Sequence, residues 1–221
     1  MGYSADLRRE LASTWEAQHQ HPFVQGIGDG TLDPEKFQFW LRQDYLFLIE
    51  YCRLLGVAAA RSPDLPTLTK FAELLSATAG TEMSMHREYA AEFGIEQKEL
   101  ELSDMAPTTR AYTDFLLRSA TVGDFRELVA ALLPCMWGFA EVGTRLAARV
   151  SPNASRYATW IAGYSSSEFV DLAGWCRTVF DAQAEGAKPG ELERMREAFL
   201  VSSRYELAFW EMAWRQEVWG T

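Results

Sequence analysis

Apolar residues recur every three or four positions through almost all of this chain, the spacing of helices packed on one face. Leu7, Leu11 and Trp15 share a face of a first helix, with Ser4 placed to cap it and His21-Pro22 to end it. The glycines between Gly26 and Gly30 predict a turn. Asp33-Pro34 opens a second helix, since a capping aspartate followed by proline is a strong start signal. Phe37, Trp40, Asp44, Phe47, Leu48, Tyr51 and Leu55 follow its inner face, and Ser62-Pro63 stops it. A third helix is predicted from about Pro66 to Phe93, halted by Gly94. The acidic stretch Gln97 to Ala106 reads as an irregular connector. A fourth helix opens near Pro107, and a fifth starts at Gly123-Asp124 and runs to Val150. Ser151-Pro152-Asn153 restarts the chain into a sixth segment, Ala154 to Gln183, broken near Gly163-Tyr164-Ser165-Ser166-Ser167. Glu185 to Gly190 is a loop, and a last helix covers Glu191 to about Trp219. Strand-like alternation, a repeat with a period of about 20–50 residues and a domain linker are all missing from the pattern. The expected architecture is all-α: one single-domain bundle, residues 1–221, of about seven helices.

Three side chains disturb this pattern. The fifth helix carries an apolar run, Ala131-Leu132-Leu133-Pro134-Cys135-Met136-Trp137-Gly138-Phe139-Ala140-Glu141. Pro134 leaves the carbonyl of Ala130 without its helical donor and predicts a bend, which brings the Cys135 thiol toward the middle of the bundle. An isolated cysteine is usually an inert core residue, so other polar groups must converge on it before it reads as a nucleophile. Asp44 is the second: a carboxylate on a buried aromatic face is paired, hydrogen-bonded or neutral. It either pairs with Arg42 or another helix, or holds a ligand that offers donors. Glu206 is the third, sharing a face with Phe199, Ser202, Phe209 and Ala213. It is either a surface charge near Arg204 and Glu211 or a carboxyl with a raised pKa, fit for acid–base work. Tyr112, Tyr164, Tyr45 and Tyr51 are candidates to line a pocket, each with a core role as the plain alternative. His86 follows Glu82 by four on one helix, half of a metal site, but only His19 and His21 remain to complete one, so a hydrogen-bonded role is the better reading.

Composition narrows the function. Among 221 residues, 48% are hydrophobic and 24% charged, ordinary for a globular protein. Aromatics are heavy, with thirteen Phe, eight Trp and eight Tyr. Eight tryptophans exceed what a core of this size needs, so some are expected to wall a pocket for a flat ligand, with helix packing the plain alternative for any one of them. A net charge of −10 argues against nucleic-acid binding. Three widely spaced cysteines do not make a disulfide framework or a metal cluster. The start, Met1-Gly2-Tyr3-Ser4-Ala5-Asp6, lacks a signal-peptide pattern, and Asp6 breaks the myristoylation pattern. With no apolar run long enough to span a bilayer, no membrane contact and a cytoplasmic location are expected.

Six stretches in order resemble the TenA/thiaminase II family, the aminopyrimidine aminohydrolases. They are Phe39-Trp40-Leu41-Arg42-Gln43-Asp44-Tyr45; Glu82 to His86 with Tyr89 and Phe93-Gly94-Ile95; Tyr112-Thr113-Asp114-Phe115-Leu116-Leu117; Leu133-Pro134-Cys135-Met136-Trp137-Gly138-Phe139; Trp160-Ile161-Ala162-Gly163-Tyr164-Ser165-Ser166; and Tyr205-Glu206-Leu207-Ala208-Phe209-Trp210. The resemblance implies a haem-oxygenase-like helical fold, usually a homotetramer, with no cofactor, haem or metal. It implies hydrolysis at the aminomethyl carbon of a 4-amino-2-methylpyrimidine, from 4-amino-5-aminomethyl-2-methylpyrimidine or thiamine, giving the 5-hydroxymethyl pyrimidine for thiamine salvage. Cys135 would attack the ring, Glu206 would move a proton at the adjacent ring nitrogen, and Asp44 would grip the exocyclic amine. Tyr112, Tyr164, Tyr51 and the residue at position 47 would complete the substrate site. This chain departs from the family pattern at that position, with Phe47 where a tyrosine is frequent. The rival readings are a haem or di-iron oxygenase on a similar fold and a non-catalytic regulatory protein.

Overall fold

Side-chain caps start several of the long helices at or near their predicted starts. The computed structural model describes residues 2–149 and 151–220; Met1, from the start-signal reading, and the expected end of the fifth helix at Val150 lie outside the described residues. Asp33 accepts from the Glu35 amide and opens α4, Pro34–Arg61. Asp64 accepts from Thr67 and opens α5, Leu65–Ala77. Asp124 and Glu127 cap one another's backbone at the start of α9, Phe125–Ala147. Such caps satisfy amides that a helix start leaves without partners.

Among the described residues the helices run from α1 to α12 rather than about seven, because several predicted segments are broken. The first splits into α1, Tyr3–Glu10, and α2, Ala12–Gln20, at Leu11. Ser4 is not its cap: it lies inside α1, and its amide and hydroxyl both donate to Asp181. The expected glycine turn is instead α3, Pro22–Asp29, with His21 capping it. There glycine serves close packing. A Cβ at Gly28 would stand 2.7 Å from Leu146, and only Gly30, at φ 79°, turns the chain. The third predicted helix comprises α5, a π-helical turn at Thr78–Glu82, and α6, Met83–Glu92. Gly94, at φ 75°, follows it. The predicted irregular connector contains α7, Gln97–Leu102, which buries Leu100. α8 spans Pro107–Thr121. After a 3-10 turn at Pro152–Tyr157, the sixth predicted segment divides into α10, Ala158–Tyr164, and α11, Ser167–Ala184. The break falls where the serines suggested, and Ser166 caps α11 by accepting from Phe169. α12, Pro189–Arg215, ends before Trp219, at Gln216 with φ 51°.

α9 is the central helix. It packs on α8, α10, α11 and α12, while α4 packs on α5, α6, α8 and α12. Leu128 to Pro134 are all buried, the mark of a helix with protein on every side. Three tryptophans, Trp40, Trp160 and Trp210, meet between α4, α10 and α12, with Trp40 and Trp210 stacked at 6.4 Å. No helix among the described residues is long and apolar enough to cross a membrane.

α9 and the end of α10 touch at Gly143, where a Cβ would fall 2.6 Å from the carbonyl carbon of Tyr164. Gly143→Ala should therefore destabilise the fold by about 1–3 kcal/mol, the usual cost of overpacking. A thermal melt should show a drop of several degrees; an unchanged melting temperature would mean that the α9–α10 contact is slack.

Candidate functional site

Helical spacing brings three groups of side chains to one cavity of about 270 Å³. α4 contributes Asp44, Phe47, Leu48 and Tyr51, which share its inner face. The π-helical turn and α6 contribute Thr78, Glu82 and His86, each four residues from the next. α9 contributes Cys135 and Phe139, and α10 with α11 closes the space with Trp160, Tyr164 and Phe169.

Asp44 is 4% exposed and pairs with His86, not with Arg42, which reaches Glu99 instead. The Asp44 Oδ2 stands 2.6 Å from His86 Nε2, and His86 Nδ1 stands 3.1 Å from the Glu82 carbonyl. A carbonyl and a carboxylate only accept, so the pair favours a ring with hydrogen on both nitrogens. Burial alone lowers the His86 pKa, but the hydrogen bond and charge of Asp44, with the charge of Glu82, overcome it and leave it raised. Both ring nitrogens are engaged, which leaves neither free for the metal half-site considered from the sequence.

Cys135 is half-buried because it faces the cavity. Glu206, 2% exposed, lies behind it on α12. The Tyr112 hydroxyl donates to Glu206 Oε1 at 2.5 Å and stands 2.9 Å from Ser202 Oγ. Ser202 Oγ in turn donates to the Ala131 carbonyl at 2.6 Å, one turn before Cys135. The proline-containing turn of α9 is thus braced from α12, at the carbonyl next to the one Pro134 leaves without a donor. Burial pushes the Glu206 carboxyl up to about 8, with the Asp44 charge adding and Tyr112 and Cys135 opposing. Burial also holds the Cys135 thiol well above its ordinary range, and the charges of Glu206, Asp44 and Glu82 reinforce that. Tyr51 opposes it. Its buried hydroxyl lies near the thiol without meeting hydrogen-bond geometry to any group.

The sequence-predicted residues therefore divide in two. Asp44, Phe47, Tyr51, Cys135 and Tyr164 line the cavity; Tyr112 and Glu206 form a buried layer behind Cys135 and are not part of its lining. Phe47 bridges the layers, its ring 5.6 Å from Tyr51 and 5.2 Å from Tyr112. Tyr45 is buried but does not line the cavity. Of the tryptophans, Trp160 walls the cavity, whereas Trp40 and Trp210 are core. Sequence reasoning did not assign Glu82 or His86 to the site. Their four-residue spacing is the available signal; it reads as half of a metal site, set aside for a hydrogen-bonded role of His86, which the contacts to Asp44 and the Glu82 carbonyl match.

The sequence pattern of the TENA/THI-4/PQQC family matches residues 8–216. A curated relative from Halalkalibacterium halodurans, named aminopyrimidine aminohydrolase, is 43% identical over all of this chain and 99% of its own. A solved TenA homologue from P. horikoshii OT3 superposes with a TM-score of 0.89 at 30% identity, covering 97% of this chain and 99% of its own. A Shewanella denitrificans domain described as having a haem-oxygenase-like fold superposes with a TM-score of 0.72 at 14% identity, over 96% and 92% of the two chains, which shows a shared fold.

The raised Glu206 pKa makes stability depend on pH. Unfolded, this carboxyl titrates near 4.5; folded, near 8. Between those values the folded chain holds a proton that the unfolded chain has released, so stability falls as pH rises through that window. His86, also raised, acts in the same direction: its contribution is present below its unfolded pKa and lost as pH rises through the folded one. Glu206→Gln should reduce the fall in stability between about pH 5.5 and about pH 8.5 by more than about 1 kcal/mol. Urea unfolding at the two pH values measures this; an unaltered fall would mean that Glu206 titrates as an ordinary glutamate.

Proposed function

The chain belongs to the TENA/THI-4/PQQC family, and from that membership we propose that it is a thiamine-salvage hydrolase that acts on 4-amino-5-aminomethyl-2-methylpyrimidine or thiamine. The name of the Halalkalibacterium halodurans relative supports the reaction class. The observation that carries the reading is the convergence of a thiol, a histidine-paired carboxylate and a carboxyl with a pKa near neutrality from three separate helices. A cavity of about 270 Å³ with aromatic walls suits one flat ring and a small substituent.

In this proposal the pyrimidine lies between Cys135 and Asp44. Asp44, held by His86, accepts a hydrogen bond from the exocyclic 4-amino group and sets the ring's orientation. The Cys135 thiol is too weak an acid to ionise unaided. Glu206 in its ionised form takes the thiol proton as sulfur bonds to ring carbon C6, and passes it to the adjacent ring nitrogen. A group with a pKa near 8 is suited to this relay because both its forms are accessible near neutrality. With C6 saturated, the 4-amino lone pair pushes through C4 and C5 and expels the amine or thiazole from the methylene carbon. The Asp44 carboxylate favours that push by accepting from the amino group. Water then adds to the methylene carbon, the electrons of the exocyclic C=C bond return through C5 and C4 to the 4-amino nitrogen, and water's surplus proton leaves with the released amine or to solvent. The C–S bond breaks, and the ring-nitrogen proton returns through Glu206 to sulfur. Tyr112 holds Glu206 in place, while Tyr51 and Tyr164 serve the leaving group and the water. A homotetramer, as the resemblance implies, in the cytoplasm, as the cysteine usage suggests, completes the proposal. Leu102 and Trp219, 71% and 60% exposed, offer apolar surface for such an assembly.

Cys135→Ser should lower turnover on the order of a thousandfold or more and leave pyrimidine binding nearly intact. Steady-state rates with both substrates, beside calorimetric binding, check this, and retention of most activity would sink the nucleophile assignment. Phe47→Tyr should raise kcat several-fold by returning a hydroxyl beside Tyr51 and Tyr112. No change would make position 47 a packing site.

A further inference from the structure

Glu82 is a half-buried carboxylate in the cavity to which the chemistry above gives no task. It closes the π-helical turn Thr78–Glu82. In a plain α-helix every fourth side chain moves on by about 40° around the axis. A wider turn reduces that drift, and it keeps Thr78, Glu82 and His86 all facing the cavity. The His86 imidazole does not neutralise the Glu82 side chain directly. It takes the Glu82 backbone carbonyl on one side and the Asp44 carboxylate on the other. Among the described cavity-lining residues no lysine or arginine is present.

Glu82 shares the cavity with a group of rings gathered on Tyr164. The Tyr164 ring lies 4.8 Å from Trp160, 4.9 Å from Phe139 and 5.1 Å from Phe169. Tyr164 and Thr78 come close enough to Glu82 to favour its charged form. A carboxylate with no direct ion pair among the described residues, in a cavity walled by clustered rings, is an arrangement that takes an organic cation. We propose that Glu82, with the rings of Tyr164, Trp160 and Phe169, forms a cation subsite that holds the substrate's positively charged leaving group, the ammonium of the aminomethylpyrimidine or the thiazolium of thiamine. This rests on the function proposed above. Burial raises the Glu82 carboxyl, with Asp44 adding and His86 opposing, and a cation bound beside it supplies the charge that favours ionisation.

The subsite gives the reaction a direction of traffic. Both leaving groups are cationic before the bond breaks, whereas the hydroxymethyl product is neutral at the same position. Substrate is held by charge and product is not. The interaction is made in the ground state and does not grow as the bond breaks, so its loss falls on KM more than on kcat.

The test compares two ligands on the full chain carrying Cys135→Ser, so that neither turns over. Calorimetry should find the aminomethylpyrimidine bound at least about tenfold more tightly than the hydroxymethylpyrimidine. Adding Glu82→Gln should shrink that preference below about threefold, with hydroxymethylpyrimidine affinity changed by less than about threefold. Adding Glu82→Asp, which keeps the charge, should retain a preference. Equal affinity for the two ligands with Glu82 present overturns the subsite whether or not the Gln variant folds. So does a preference that survives Glu82→Gln, or an equal loss for both ligands. A folded Cys135→Ser protein that binds neither pyrimidine overturns the proposed function and the subsite with it. Abolished turnover with equal ligand affinities leaves the function standing and removes only the subsite.

Discussion

His86 is the one basic side chain among the described residues that line the cavity, and it faces the carboxylates Asp44 and Glu82 with Glu206 behind them. Most of the site's electrostatics follow from that imbalance. One imidazolium satisfies one carboxylate, and it is spent on Asp44 at 2.6 Å. Glu206 has no cation beside it, so burial drives its carboxyl toward neutrality and a hydroxyl from Tyr112 holds it. Burial first, and then the carboxylates around it, keep the thiol of Cys135 protonated. In the proposed mechanism the site therefore moves protons rather than stores a thiolate, which gives Glu206 a part there beside Cys135.

The fold supplies the rigidity that such a site requires. Glu206, Tyr112, Ser202 and the Ala131 carbonyl form a hydrogen-bonded chain across α12, α8 and α9. It fixes the proline-containing turn that carries Cys135, where a helix is least able to hold itself. On the opposite wall the π-helical turn aligns Thr78, Glu82 and His86, and His86 links α6 to α4 through Asp44. Aromatic rings fill the space between these two braces: Phe47 touches Tyr51 and Tyr112, and Trp160 joins Tyr164 to the tryptophan core. Breaking either brace would leave a buried polar group without a partner, which typically costs about 1–3 kcal/mol.

Much of the site was legible from residue type and period alone. Asp44 and Glu206 stand out because a carboxylate on an apolar helix face must be compensated, and both are buried as that argument requires. Cys135 was marked by Pro134 and lines the cavity. The partners of these groups were not legible. Arg42 or a group on another helix stood open as the partner of Asp44; α6, packed against α4, supplies His86, while Arg42 reaches Glu99. Tyr112 looked like a lining residue and is instead the donor to Glu206, because Phe47 lies between it and Tyr51.

The chain's sequence by itself determined the helical class, the caps at Asp33 and Asp124, the break near Ser165 and the residues forced inward. These depend on neighbours within a turn or two, where spacing and capping chemistry act directly. Only the tertiary structure decided the rest. At Pro22–Asp29 the glycines serve close packing, Gly28 against Leu146 and Gly26 against Leu32, and do not turn the chain. The His86–Asp44 pair and the raised pKa of Glu206 arise between helices distant in sequence. Burial and pairing are properties of the packed whole, and no local period encodes which charge a buried carboxylate will meet.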